Sequence, residues 1–174
     1  MKTLILGGAR SGKSHYAEQL AIASGLEVVY IATAQVYDAE FAERVTHHRQ
    51  RRPAAWQLIE EPFFLADTLR QQAAPGRMLL VDCLTLYLAQ WLCPDCQSPQ
   101  HSSWQQERAA LLGCLPHLPG QLILVSNEVG LGIVPMGELS RHYQDEAGRL
   151  NQALAQACDS ALFMVAGLPL TLKA

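Results

Sequence analysis

Residues 3–14, TLILGGARSGKS, decide the fold. A short apolar run passes directly into GGARSGKS (7–14), which fits the pattern G-x-x-x-x-G-K-[ST] with Gly7, Gly12, Lys13 and Ser14 in the fixed positions. A strand before this motif and a helix after it are the setting in which it binds phosphate. Glycines let the backbone curl until its N–H groups converge on phosphate oxygens at the positive end of a helix. Within the loop, Gly7, Gly8, Ala9, Arg10, Ser11 and Gly12 are thus expected to line a nucleotide. Lys13 is expected to offset β- and γ-phosphate charge, and the Ser14 hydroxyl to ligate Mg²⁺.

Working outward, four more apolar runs recur: VVYIAT (28–33), MLLVDCL (78–84), QLILVSN (121–127) and ALFMVAG (161–167). Each is continuous rather than alternating, the pattern of strands buried on both faces. Helix-compatible segments separate them, among them KSHYAEQLAIAS and ELSRHYQDEAGRLNQALAQACD. Strand and helix in alternation predict an α/β fold, a P-loop NTPase-type three-layer sandwich with a mainly parallel central sheet. Ligands in such folds sit beyond the carboxyl ends of the strands. That directs attention to residues 7–14, 32–35, 82–85 and 126–130. Asp82, closing MLLVD, has the position of a carboxylate that helps hold Mg²⁺. Its alternative role is to cap a helix beginning at Leu84.

The chain has 174 residues, 49% hydrophobic and 17% charged, with a formal net charge of −3. That size suits a single domain over 1–174, and the negative charge argues against a general nucleic-acid binder. No apolar run reaches the roughly 18 residues of a membrane span. The apolar start is too short for an export signal, so a cytoplasmic location is expected. The five cysteines are odd in number and irregularly spaced, which does not describe a disulfide framework. The lone CPDC (93–96), with His101 nearby, offers fewer ligands than structural zinc requires and reads as a loop, CPDCQSPQHSS (93–103), inside one domain.

ERVTHHRQRRP (43–53) concentrates four arginines around His47 and His48. On a helix capped by Asp38, Phe41, Val45 and His48 share one face, which makes His48 a packing residue. His47 points about 120° away, flanked by Arg44 and Arg51 on one stripe. Positive neighbours keep an imidazole neutral and nucleophilic, and guanidiniums gather phosphate oxygens. A nucleophile toward phosphorus and a solvated basic face stand level on helix geometry alone.

At this point a family resemblance enters. The blocks GGARSGKS (7–14), YIATAQ (30–35), RVTHHRQRRP (44–53), DCLTLYL (82–88), SNEVGLGIVP (126–135) and RHYQDEAGRLNQALA (141–155) occur in order and span almost the whole chain. Together they resemble the bifunctional adenosylcobinamide kinase / adenosylcobinamide-phosphate guanylyltransferase family of cobalamin biosynthesis. The resemblance implies phosphorylation of the aminopropanol hydroxyl of adenosylcobinamide by ATP or GTP. It also implies transfer of GMP from GTP to that phosphate through a guanylyl-histidine, which carries over to His47. It further implies that Ala32, Thr33 and Ala34 form a nucleotide-contacting segment, that Arg52 and Glu60 lie near the guanine nucleotide, and that the chains assemble into a homo-oligomer, a trimer. Asp82 stands where some members have Glu, and the 93–103 loop matches no family block. A single-function P-loop kinase remains the competing reading. A GTPase switch is disfavoured because no NKxD motif is present.

Overall fold

The computed structural model of the chain describes residues 1–34, 53–93, 99 and 101–174. Its elements run, in chain order, β1 (Lys2–Gly7), α1 (Lys13–Ala23), β2 (Glu27–Ala32), β3 (Gln57–Glu60), α2 (Leu65–Gln72), β4 (Arg77–Asp82) and α3 (Leu84–Leu92). There follow α4 (Trp104–Cys114), a 3₁₀ turn (Leu115–His117), β5 (Gln121–Asn127), α5 (Glu138–Ala157), β6 (Ser160–Val165) and β7 (Leu168–Lys173). All strands join one seven-stranded sheet in the order β3-β2-β4-β5-β1-β6-β7. Every pairing is parallel except β6 with β7. The five apolar runs are the five inner strands, and the expected mainly parallel sheet is present. The motif strand β1 is separated from the Asp82 strand β4 by β5.

Alternation along the inner strands divides the core between the two faces. Leu4, Leu6, Val29, Ile31, Leu79, Val81, Leu122 and Leu124 pack with α2, α3, α4 and α5. Ile5, Val28, Tyr30, Met78, Leu80, Ile123 and Val125 pack with Ala17 and Ala21 of α1. Helices on both faces of a parallel sheet make three layers. The α4 N-terminus carries a capping box in which the Ser103 hydroxyl accepts from Gln106 N–H and the Gln106 side chain accepts from Ser103 N–H. Among the described residues no helix is long and apolar enough to cross a membrane.

Two strands have no counterpart in the apolar runs. β3 and β7 are the sheet's edges, and most of their residues are exposed. An edge strand buries little, so it lacks the unbroken apolar run that marks a central one. Register explains what meets at the carboxyl edge. Glu60 pairs with Ala32, Ala32 with Asp82, and Asp82 with Val125. Gly7 pairs with Asn127 on one side and Met164 on the other. The ends of β1, β2, β3, β4 and β5 thus open on one side of the molecule.

Candidate active site

The loop between β1 and α1 is curled as its glycines allow. Gly12 has φ 96°, and Arg10, not a glycine, has φ 56°. Gly7 is required by close approach: a Cβ there would lie 2.7 Å from both the Met164 carbonyl oxygen and Ser11 Oγ. Gly12 is the N-cap of α1 and no side chain caps the helix. The first N–H groups of a helix have no intrahelical acceptor, so this end favours an anion.

A second contact braces the loop. Gly167, in the tight turn between β6 and β7, donates its N–H to the Ser11 carbonyl at 3.0 Å. A Cβ on Gly12 would lie 3.1 Å from Gly167 Cα. Ala166 and Gly167 both have positive φ, 51° and 81°, the pairing a two-residue hairpin turn demands.

Lys13 is 7% exposed, and its Nζ reaches back to the Gly8 carbonyl at 2.7 Å. Burial lowers its pKa, opposed by Cys83 and Asp82. Burial, and secondly Asp82, push the Cys83 thiol up to about 11. Cys83 is therefore a neutral thiol near neutral pH, and Asp82 supplies the attraction felt by Lys13. The charge of Asp82 thus acts on a lysine beside the curled loop, although β5 lies between β1 and β4.

Asp82 does not cap the following helix. The N-cap of α3 is Cys83, with no side-chain capping bond. The Asp82 carboxylate accepts from Tyr30 Oη at 3.1 Å instead. Tyr30 pairs with Leu80 and Ala32 with Asp82, so Tyr30 and Asp82 are diagonal neighbours on one face of the sheet. Tyr30 stacks in turn on Trp56, with ring centroids 6.5 Å apart.

Of the segment 32–34, Thr33 is fully buried and its hydroxyl donates to the Cys83 carbonyl at 2.7 Å. That side chain ties the end of β2 to the end of β4. Glu60 is exposed at the end of β3, beside Ala32. Ser14 is half-buried in the first turn of α1. His47, His48, Arg44, Arg51 and Arg52 lie outside the described residues.

The structure adds a second tier, drawn from the blocks 82–88, 126–135 and 141–155, in which the sequence assigned no role to single residues. Asn127 N–H donates to Thr85 Oγ1 at 2.7 Å, and Tyr143 Oη donates to the Thr85 carbonyl at 2.9 Å. Asn151 donates to the Asn127 carbonyl at 3.2 Å, and Glu128 N–H donates to the Gly7 carbonyl at 3.0 Å. The start of α3, the end of β5 and one face of α5 are thereby fastened to the root of the loop. In sequence Tyr143 and Asn151 look like any polar residues on an amphipathic helix, and no local signal separates them. Around CPDC, Cys93 is half-buried, while Cys96 lies outside the described residues. The described residues contain no group of three or more His, Cys, Asp or Glu side chains able to hold a metal ion.

A parallel sheet whose first strand opens into this curled loop, with lysine and carboxylate at one edge, defines a P-loop NTPase-type fold. In agreement, the chain is similar over 93% of its length to the crystal structure of the RadB recombinase, covering 73% of that chain, with TM-score 0.51 and 19% identity. The family model for cobinamide kinase / cobinamide phosphate guanyltransferase matches residues 3–172, and the chain belongs to that family. It is 60% identical over 173 residues to the bifunctional adenosylcobalamin biosynthesis protein CobP of Pseudomonas aeruginosa, covering 99% of this chain and 98% of the relative. It is 37% identical to the bifunctional adenosylcobalamin biosynthesis protein CobU of Escherichia coli, covering 99% of this chain and 100% of the relative. To the CobU of Salmonella typhimurium it is 38% identical with the same coverage.

Proposed function

We propose that this chain, a single P-loop transferase domain, carries out two successive transfers on a corrinoid. In the first, the aminopropanol hydroxyl oxygen of adenosylcobinamide attacks the γ-phosphorus of ATP or GTP. The bond to the β-phosphate oxygen breaks, and a nucleoside diphosphate leaves. In the second, an imidazole nitrogen of His47 attacks the α-phosphorus of GTP and pyrophosphate leaves. The phosphate of adenosylcobinamide-phosphate then attacks the same phosphorus, the P–N bond breaks, and adenosylcobinamide-GDP is released with His47 restored. Splitting the displacement in two lowers each barrier.

The observation that carries the reading is the curled GGARSGKS loop at the start of α1, with Lys13 buried against it and Asp82 at the carboxyl edge of the same sheet, in a chain of this family. Gly7, Gly8, Ala9, Arg10, Ser11, Gly12, Lys13 and Ser14 would hold the triphosphate. Ala32 and Ala34, beside the buried tie made by Thr33, would flank it, with Arg51, Arg52 and Glu60 toward the guanine nucleotide. Mg²⁺ fits the donor set. Ser14 and Asp82 offer hard oxygen ligands, and this ion is commonly held by one or two carboxylates together with substrate phosphates rather than by a protein cage. When bound, it neutralises charge on the phosphates.

Two further parts of the reading have their own support. Leu168, Leu170 and Leu172 stand exposed along the edge strand β7, an edge that soluble chains cover; this supports a homo-oligomer, a trimer by the family resemblance. Cys83, Cys114 and Cys158 are free thiols, which suits a reducing, cytoplasmic location.

The test uses GTP labelled in the α-phosphate. Wild type should yield an acid-labile, base-stable adduct that maps to His47. His47→Asn should lose both the adduct and guanylyl transfer while retaining kinase activity, and His48→Asn should keep the adduct. A label on His48, on a lysine or on no residue would refute the assignment and leave the single-function kinase.

A further inference from the structure

The residues after β5 do something that phosphate binding does not explain. From Glu128, whose N–H is bonded to the Gly7 carbonyl, the chain enters the loop VGLGIVPMG (129–137). Its side chains are apolar yet face outward. Leu131 is 81% exposed, Ile133 96% and Met136 96%, with Val134 and Leu139 also open. Surface loops ordinarily carry polar residues, and a contiguous apolar patch of this kind marks a binding surface.

This loop is held in shape by its own polar groups. The Glu128 carboxylate accepts from Gly130 N–H at 2.6 Å. Gln144 donates to the Val129 carbonyl at 3.0 Å. The Arg141 guanidinium donates to the carbonyls of Pro135 and Met136. Main-chain groups that would otherwise face water are satisfied from within, and the apolar side chains are presented by a preorganised scaffold. Ordering of that kind is a cost already met before a ligand arrives.

Behind the loop lies a cavity of about 370 Å³, walled by Ala89 and Leu92 of α3, Val129 and Pro135 of the loop, and Leu139 and Tyr143 of α5. Among the described residues no charged side chain lines it. Tyr143 Oη and the Gln144 amide are turned away to the Thr85 and Val129 carbonyls, so the walls offer mainly apolar surface. The volume is within the range of small-molecule sites. Tyr143 also joins the cavity to the phosphate machinery. Thr85 bonds both Tyr143 and Asn127, and Asn127 pairs with Gly7 at the root of the loop.

We infer that this cavity and the apolar shelf of Leu131, Ile133, Val134 and Met136 form the docking site of the corrin macrocycle. The inference rests on the proposed kinase reading, which requires a phosphoryl acceptor far larger than its one reacting hydroxyl. A nucleotide's charged phosphates find no partner in an uncharged cavity. A corrin ring has a methyl-bearing rim and broad faces. In this assignment the cavity takes one edge of the ring and the shelf covers a face, and Thr85 and Asn127 link the cavity wall to the end of β5 beside the curled loop.

The experiment measures the KM for cobinamide, equilibrium binding of GTP, adduct formation and native mass. It compares wild type with Ile133→Asp and with Ala89→Leu. Ile133 is almost fully exposed, so Ile133→Asp leaves the core untouched even if Ala89→Leu disturbs α3. Both variants should raise the KM for cobinamide by about tenfold or more, with GTP affinity and adduct formation within about twofold of wild type and native mass unchanged. An unchanged KM in Ile133→Asp overturns the assignment. A smaller native mass with unchanged KM also overturns it and makes the shelf a contact between copies of the chain. If wild type forms the adduct but neither binds nor phosphorylates cobinamide, the kinase reading itself fails, a result distinct from one in which only the variants match wild type.

Discussion

At the residue scale, Asp82 carries the clearest burden. Its carboxylate faces Tyr30 on one side and influences Lys13 on the other, and the N-cap of α3 is Cys83. Asp82→Asn keeps the size and one oxygen acceptor for Tyr30 but removes the charge. Kinase activity should fall by about tenfold or more, and raised Mg²⁺ should restore part of it by mass action. Titrating activity against Mg²⁺ for both proteins checks this; a variant as active as wild type and indifferent to Mg²⁺ would limit Asp82 to a structural partner of Tyr30. The curled loop that opens α1 was legible from the motif alone, because the backbone freedom of its glycines is local chemistry. Tyr30 was not. It resembles any strand aromatic until β2 and β4 pair and set it diagonally across from Asp82.

At the scale of elements, the hairpin between β6 and β7 acts on the phosphate loop through its turn. Gly167 N–H holds the Ser11 carbonyl, and a Cβ on Gly12 would lie 3.1 Å from Gly167 Cα. Gly167→Ala places a side chain at φ 81°, at a cost of roughly 1 kcal/mol or somewhat more. Adjustment of the turn should shift the loop and weaken triphosphate binding several-fold, beyond what the loss of stability explains. Paired measurements of GTP dissociation constant and unfolding free energy decide it: lost stability with unchanged GTP affinity would make Gly167 a hairpin residue only. The central strands were readable because burial on both faces leaves an unbroken apolar run. β3 and β7 were not, because an edge strand is specified by the partner beside it more than by its own composition.

At the scale of the whole molecule, packing between helices ties stability to pH. Trp104 of α4 donates its indole N–H to Glu146 of α5 at 2.8 Å, and Arg149 pairs with the same carboxylate. Burial works to raise the Glu146 pKa, but these hydrogen bonds outweigh it and hold the carboxyl below its ordinary value of 4.5. A lowered folded value means the charged form is favoured by folding. The contribution is therefore present above about pH 4.5 and is lost as pH falls through the lowered value. Glu146→Gln should cost on the order of 1 kcal/mol at pH 7 and less at an acid pH below that lowered value, where the side chain at 146 is uncharged in both proteins. Urea unfolding at the two pH values tests it; an equal loss at both would show that shape, not charge, holds the contact.

The sequence by itself determined the alternation of strand and helix, the glycine-rich loop that opens α1, and Asp82 at a strand end. Each is written in residues adjacent in the chain, where periodicity and backbone freedom act. Only the tertiary structure decided that β5 lies between β1 and β4, that the Gly167 turn braces the loop, and that an apolar cavity opens behind residues 128–137. These depend on strand order and on side chains far apart in sequence, and such contacts exist only once the sheet has assembled.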